Sequence, residues 1–131
     1  MASYGAAQQK QYVDDQGNRI LVELLDENGE FCTGLEYCAM AFTYDERGYM
    51  ASRTYLDADG QPVLSPSQNY AQIRYVNDEQ GNPLEVSFHD AQGDPINNAY
   101  GYAKEVTEYN AMGLQTRNAY FDAEGDPADY R

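Results

Sequence analysis

The sequence predicts an all-β protein: antiparallel β-hairpins joined as a meander of four units of about 32 residues, forming an open twisted sheet or a solenoid-like stack. Three observations carry this. Eight tetrapeptides of the form Asp-or-Asn, any, any, Gly pace the chain. The segments between them are one strand long, and their apolar residues fall two apart. No segment has the apolar periodicity of a helix, and the Asp, Gly and Pro punctuation leaves little room for one.

The tetrapeptides are Asp14–Gly17, Asp26–Gly29, Asp45–Gly48, Asp57–Gly60, Asp78–Gly81, Asp90–Gly93, Asn110–Gly113 and Asp122–Gly125. Within a pair the glycines lie 12 apart, and from pair to pair the period is 31, 33 and 32. Asp or Asn opening a type I turn accepts hydrogen bonds from the backbone two residues on. Gly at the fourth position supplies the positive φ that returns the next strand through a bulge.

After the first turn of each pair a strand is expected: Asn18 to Leu25, Tyr49 to Leu56, Asn82 to His89 and Leu114 to Phe121. Ile20, Val22 and Leu24 share one face of the first, and Leu84, Val86 and Phe88 one face of the third. The matching sets Ala51, Arg53, Tyr55 and Thr116, Asn118, Tyr120 are less apolar. After the second turn come Gly60-Gln61-Pro62, Gly93-Asp94-Pro95 and Gly125-Asp126-Pro127, with Phe31 standing where the others have proline. Proline donates no ladder hydrogen bond, so it marks an edge or the end of pairing. A looser stretch then leads to Tyr37-Cys38-Ala39, Tyr70-Ala71 and Tyr102-Ala103, and another strand runs into the next turn. Each unit reads as two firm strands and one short or irregular one.

Residues 1–11 read as a flexible N-terminal tail and 12–131 as a single β-repeat domain, with units at about 12–43, 44–74, 75–107 and 108–131. The chain stops shortly after a Gly-x-Pro, which suggests a piece of a longer array. No N-terminal apolar run resembles a secretory signal, and no segment is apolar enough to span a membrane.

The formal net charge is −14, but thirteen of the 22 acidic residues sit inside the eight turns, where turn chemistry accounts for them. Eight scattered basic residues make nucleic acid or an anionic membrane an unfavourable partner. Asp57-Ala58-Asp59-Gly60 and Asp14-Asp15-Gln16-Gly17 offer too few carboxylates per loop for a closed calcium site. Cys32 takes the place of Val63, Ile96 and Ala128, and Cys38 lies beside the shared alanine. Two thiols are expected there, with a local bridge as the alternative.

Signs of catalysis are lacking. His89 is the one histidine and stands where Leu25, Leu56 and Phe121 stand. No nucleophile signature accompanies it, and there is no phosphate-binding glycine loop, so no enzyme, cofactor or metal is expected. Aromatics are the functional candidates: 13 tyrosines and four phenylalanines recur at matching places. Tyr55, Phe88 and Tyr120 form one set, Tyr44 and Tyr109 another, and Tyr37, Tyr70 and Tyr102 a third. Rings on strands pack across the ladder. Tyr37, Tyr70 and Tyr102, leading out of the looser stretches, are the candidate ligand-binding residues.

Tyr44-Asp45-Glu46-Arg47-Gly48 followed by Tyr55-Leu56-Asp57-Ala58-Asp59-Gly60 resembles the Tyr-Asp (YD/Rhs-type) repeats of large bacterial surface and toxin-carrying proteins. Tyr120-Phe121-Asp122-Ala123-Glu124-Gly125 is similar to the hairpins of choline- and glucan-binding cell-wall repeats. The resemblance implies a non-enzymatic bacterial β-hairpin module at the cell surface or secreted. The expected role is scaffold or protein interaction, including self-association through a sheet edge. A carbohydrate or cell-wall binding module using the tyrosines is the alternative.

Overall fold

The computed structural model describes residues 8–31 and 35–128. Its strands are β1 (Gln8–Val13), β2 (Arg19–Leu25), β3 (Ala39–Tyr44), β4 (Met50–Leu56), β5 (Gln72–Asn77), β6 (Pro83–His89), β7 (Lys104–Tyr109) and β8 (Gln115–Phe121). They form one antiparallel sheet in which spatial order equals chain order. The described residues contain no helix. The four strands expected after the first turns lie where the alternation placed them.

The tetrapeptide turns explain this regularity. In the first, Asp14 Oδ1 accepts the amides of Gln16 and Asn18, each at 2.9 Å, while the Gly17 amide donates to the Asp14 carbonyl at 3.0 Å. The same pattern recurs at Asp26, Asp45, Asp57, Asp78, Asp90, Asn110 and Asp122. Their glycines have φ from +80° to +89°. The register shifts by one residue just before each hairpin turn, at Tyr12/Val13, Thr43/Tyr44, Val76/Asn77 and Glu108/Tyr109. That bulge is what a type I turn closed by a left-handed residue requires.

A ninth turn of the same kind occurs at Asn98–Gly101. Asn98 Oδ1 accepts the Tyr100 amide at 2.9 Å, and Gly101 has φ +97°. Asn69 at φ +63° holds the matching place before Tyr70. Asparagine tolerates this left-handed geometry better than other residues with a side chain.

The structure corrects three expectations. Gln8 to Gln11, assigned to a flexible tail, pair with β2 from Gln8↔Leu25 onward. The long ladders run within the hairpins at 8–25, 39–56, 72–89 and 104–121, so the expected boundaries after 43, 74 and 107 cut through β3, β5 and β7. The short third strand reduces to isolated bridges: Leu25↔Phe31, Leu56↔Pro62, His89↔Pro95 and Phe121↔Pro127. Proline allows that one bridge and then ends the pairing. Cys32 lies outside the described residues.

Residues paired across an antiparallel ladder share a face. From Val22↔Met40 the core face therefore runs through Tyr55, Arg53, Ile73, Phe88, Tyr75, Val86, Glu105 and Tyr120. Val22, Leu24 and Phe42 form one buried cluster, and Tyr55, Tyr70, Ile73 and Phe88 another. The segments that follow the second turns fold back over this face and cover one end of it. The opposite face carries smaller and polar residues, such as Ser52, Thr54 and Gln72.

Candidate functional site

Tyr37, Tyr70 and Tyr102 enter the core face from the connecting segments, each just before a tight backbone link. The residues that follow them, Cys38, Ala71 and Ala103, tie one hairpin to the next. Their amides donate to the carbonyls of Leu56, His89 and Phe121, and their carbonyls accept from Leu24, Tyr55 and Phe88, all at 2.8 Å. Ala71 and Ala103 are buried, because a backbone pinned on both sides leaves no space for a larger side chain.

Pinned in this way, each connecting-segment ring meets strand rings of the core face. Tyr37 stacks on Tyr55 at 4.3 Å between centroids, and Tyr55 on Tyr70 at 5.7 Å. Tyr70 meets Phe88 at 4.9 Å, Phe88 meets Tyr102 at 5.7 Å, and Tyr102 meets Tyr120 at 4.7 Å. The three nominated tyrosines thus belong to one six-ring row that crosses the sheet and alternates segment ring with strand ring. Such contacts each add about 0.5–1.5 kcal/mol beyond burial. Tyr70 is 5% exposed and flanked on both sides, so its ring is a packing element.

Arg53 lies among these rings. Its Nη2 donates to the Tyr70 hydroxyl at 3.2 Å and the Tyr55 hydroxyl at 3.5 Å, and its guanidinium sits over the Tyr55 ring. Its buried Nε has no hydrogen-bond partner among the described residues. Burial pushes the Tyr55 phenol well above its ordinary range, with help from the Tyr70 hydroxyl and against the pull of Arg53. Burial raises Tyr75 too. Neutral phenols around one cation make a polar but uncharged lining.

Two further sets of contacts join the hairpins. At the turn end, the Tyr44 hydroxyl donates to the Arg19 carbonyl at 2.7 Å, Asn77 Nδ2 to the Met50 carbonyl at 2.9 Å, and the Tyr109 hydroxyl to the Pro83 carbonyl at 3.0 Å. At the other end, Glu36 Oε1 accepts from the Ser65 hydroxyl at 2.6 Å and the Ser67 amide at 2.8 Å. Those donors hold the Glu36 carboxyl below its ordinary pKa, the Ser65 hydroxyl foremost. Asn69 Nδ2 donates to the Asn97 carbonyl at 2.8 Å, and the Ala123 amide to Asn97 Oδ1 at 2.8 Å.

His89 lies on the opposite face, in an open cleft of about 630 Å3 that also has Ser87, Lys104, Phe121, Asp122 and Glu124 in its walls. Its Nε2 is 2.9 Å from the Ser87 hydroxyl, and its Nδ1 is 3.2 Å from the Gly93 carbonyl. A second open cleft of about 660 Å3 contains Asp14 and Asp45, whose Oδ1 atoms are engaged by their own turns. Among the described residues no group of three or more His, Cys, Asp or Glu is placed to hold a metal, and no helix is long and apolar enough to cross a membrane.

Sequence reasoning missed Glu36, the Asn98 turn and the Ser87–His89 pair. The last two were readable, since Asn98-Ala99-Tyr100-Gly101 fits the tetrapeptide and residues two apart on a strand share a face. Glu36 was not, because its partners lie 29 and 31 residues away. No protein-family model matches this sequence, and no curated protein matches it.

Proposed function

We propose that this chain is a β-hairpin scaffold or protein-interaction module, of the kind that Tyr-Asp hairpin repeats make up in larger bacterial proteins, and that it engages other chains through a sheet edge. One observation supports this above the others: the recurrent tyrosines are spent on joining hairpins. A carbohydrate platform needs ring faces turned to solvent, whereas Tyr55, Tyr70 and Phe88 are each 7% exposed or less. What the sheet offers outward is backbone. Among the described residues no strand pairs with the outer side of β1 or β8. On β8 that side carries only the short return at Phe121↔Pro127, where the Ala128 amide donates to the Tyr120 carbonyl, and the rest of the edge is a template for another strand.

The β8 edge is the better template. The amides of Leu24, Tyr55 and Phe88 point to the next hairpin. Asn118 matches Val22 by its place after the turn glycine, so the alternation turns its amide away from β7. Static light scattering over a concentration series tests the self-associating form of this reading. The expected result is a mass that rises with concentration in the wild type and rises less in Asn118→Pro, which removes that donor. A wild type that stays monomeric at high concentration counts against it.

A further inference from the structure

We propose that Ser87 is an activated nucleophile, with His89 as its base, in an acyl-transfer site on the face of the sheet opposite the aromatic row, suited to uncharged carboxyl esters. The inference stands apart from the interaction role and does not rest on it. The Gly93 carbonyl can only accept, so the 3.2 Å contact places a proton on His89 Nδ1. In the neutral ring Nε2 is then the acceptor, and the Ser87 hydroxyl, 2.9 Å away, must donate to it. That is the tautomer and direction that a serine–histidine pair requires, with a carbonyl orienting the base.

The surroundings favour the neutral ring. His89 is 8% exposed, and burial lowers its pKa, as does nearby Arg74, with the Gly93 contact and Asp90 opposing. The pair opens into the cleft, where Phe121, Val106 and Pro95 give apolar surface for an acyl chain. Lys104, opposite Ser87 in the β6–β7 ladder, brings an ammonium held 3.3 Å from Glu85. With Arg74, opposite Ser87 in the β5–β6 ladder, it is one of two cations flanking the serine that a developing oxyanion could use. Asp122 and Glu124 in the same walls disfavour anionic substrates.

In the step proposed, Ser87 Oγ bonds to the ester carbonyl carbon as its proton passes to His89 Nε2. The tetrahedral intermediate collapses, the carbon–oxygen bond to the alcohol breaks, and His89 returns the proton to that alcohol. Water then repeats the sequence on the acyl-serine, giving the acid and free Ser87.

The test treats the folded chain with a fluorophosphonate probe and locates the adduct by mass spectrometry, with thermal melts to confirm that each variant is folded. The expected result is one adduct, on Ser87, with fluoride as the leaving group. It is lost in Ser87→Ala and slowed roughly a hundredfold or more in folded His89→Gln. Lys104→Met, which leaves the pair intact, slows labelling by a smaller factor. No adduct on wild-type Ser87, or equal rates in wild type and His89→Gln, overturns the proposal. Either outcome leaves the light-scattering result untouched, so the two readings fail separately.

Discussion

Gly60 and Gly81 share a left-handed φ, +80° and +89°, but differ in their surroundings. A Cβ on Gly60 meets nothing within 4 Å, so Gly60→Ala carries backbone strain alone, about 1 kcal/mol. A Cβ on Gly81 comes within 2.6 Å of the Tyr49 ring, which is tethered through its hydroxyl to the Glu79 carbonyl. Gly81→Ala therefore costs more than Gly60→Ala, while Ala58→Ser in an exposed turn position is close to neutral. Urea denaturation of the three variants checks the order, and equal midpoints for Gly60→Ala and Ala58→Ser contradict it. At this scale the sequence was most legible: Asp or Asn opens the turn, Gly closes it, and a fixed spacing exposes both. Arg53 was legible only in part. Alternation put it on the core face, but its bonds to the Tyr55 and Tyr70 hydroxyls depend on where residue 70 returns.

Strands and turns are set by local rules, and the joints between hairpins are not. A joint such as Leu21↔Ala41 to Glu23↔Ala39 is short, and side chains brought over by the connecting segments add to it, as do the turn-end bonds of Tyr44, Asn77 and Tyr109. Glu36 gives a titratable handle on one of them. Its folded pKa lies below the ordinary value of 4.5, so the unfolded chain binds the proton more readily. The stability it contributes is present above that unfolded value and is lost as pH falls through the lower folded one. Glu36→Gln is therefore expected to melt with a shallower decline between about pH 5 and pH 3 than the wild type. Melts across that range decide it, and identical slopes contradict the role given to Glu36. Little in the sequence pointed to this contact, whereas Tyr37, Tyr70 and Tyr102 on one hand and Tyr55, Phe88 and Tyr120 on the other were visible as two recurrent sets. What stayed hidden was that the sets interleave.

Across the whole sheet the core face is apolar in the middle and polar at its ends. Gln9 and Gln11 in β1 lie opposite Leu24 and Val22, while in β7 and β8 Asn118 Nδ2 donates to Glu105 Oε2 at 2.8 Å and Thr107 Oγ1 at 2.9 Å. The weaker apolar pattern of the last strand thus corresponds to a hydrogen-bonded polar patch. Thirteen of the 22 acidic residues lie in turns whose opening carboxylate, as at Asp14 and Asp45, is already engaged by amides, which leaves few oxygens per loop for a hard cation. Millimolar calcium is expected to shift the melting temperature little relative to chelator. A rise of many degrees, or an ion bridging Asp14 and Asp45, contradicts that expectation.

The central claim is that the ring row joins the hairpins to one another, and chemical unfolding of Tyr70→Ala beside Tyr70→Phe tests it most directly. Tyr70 is flanked by rings on two different hairpins, so removing it opens a cavity in the middle of the row. The account predicts a loss of about 3–5 kcal/mol for the alanine variant. For phenylalanine, which removes the hydroxyl with its bond from Arg53 and its contact with the Tyr55 hydroxyl, it predicts a loss of about 1–2 kcal/mol. A Tyr70→Ala chain that unfolds within about 1 kcal/mol of the wild type, the range of a surface substitution, would contradict it.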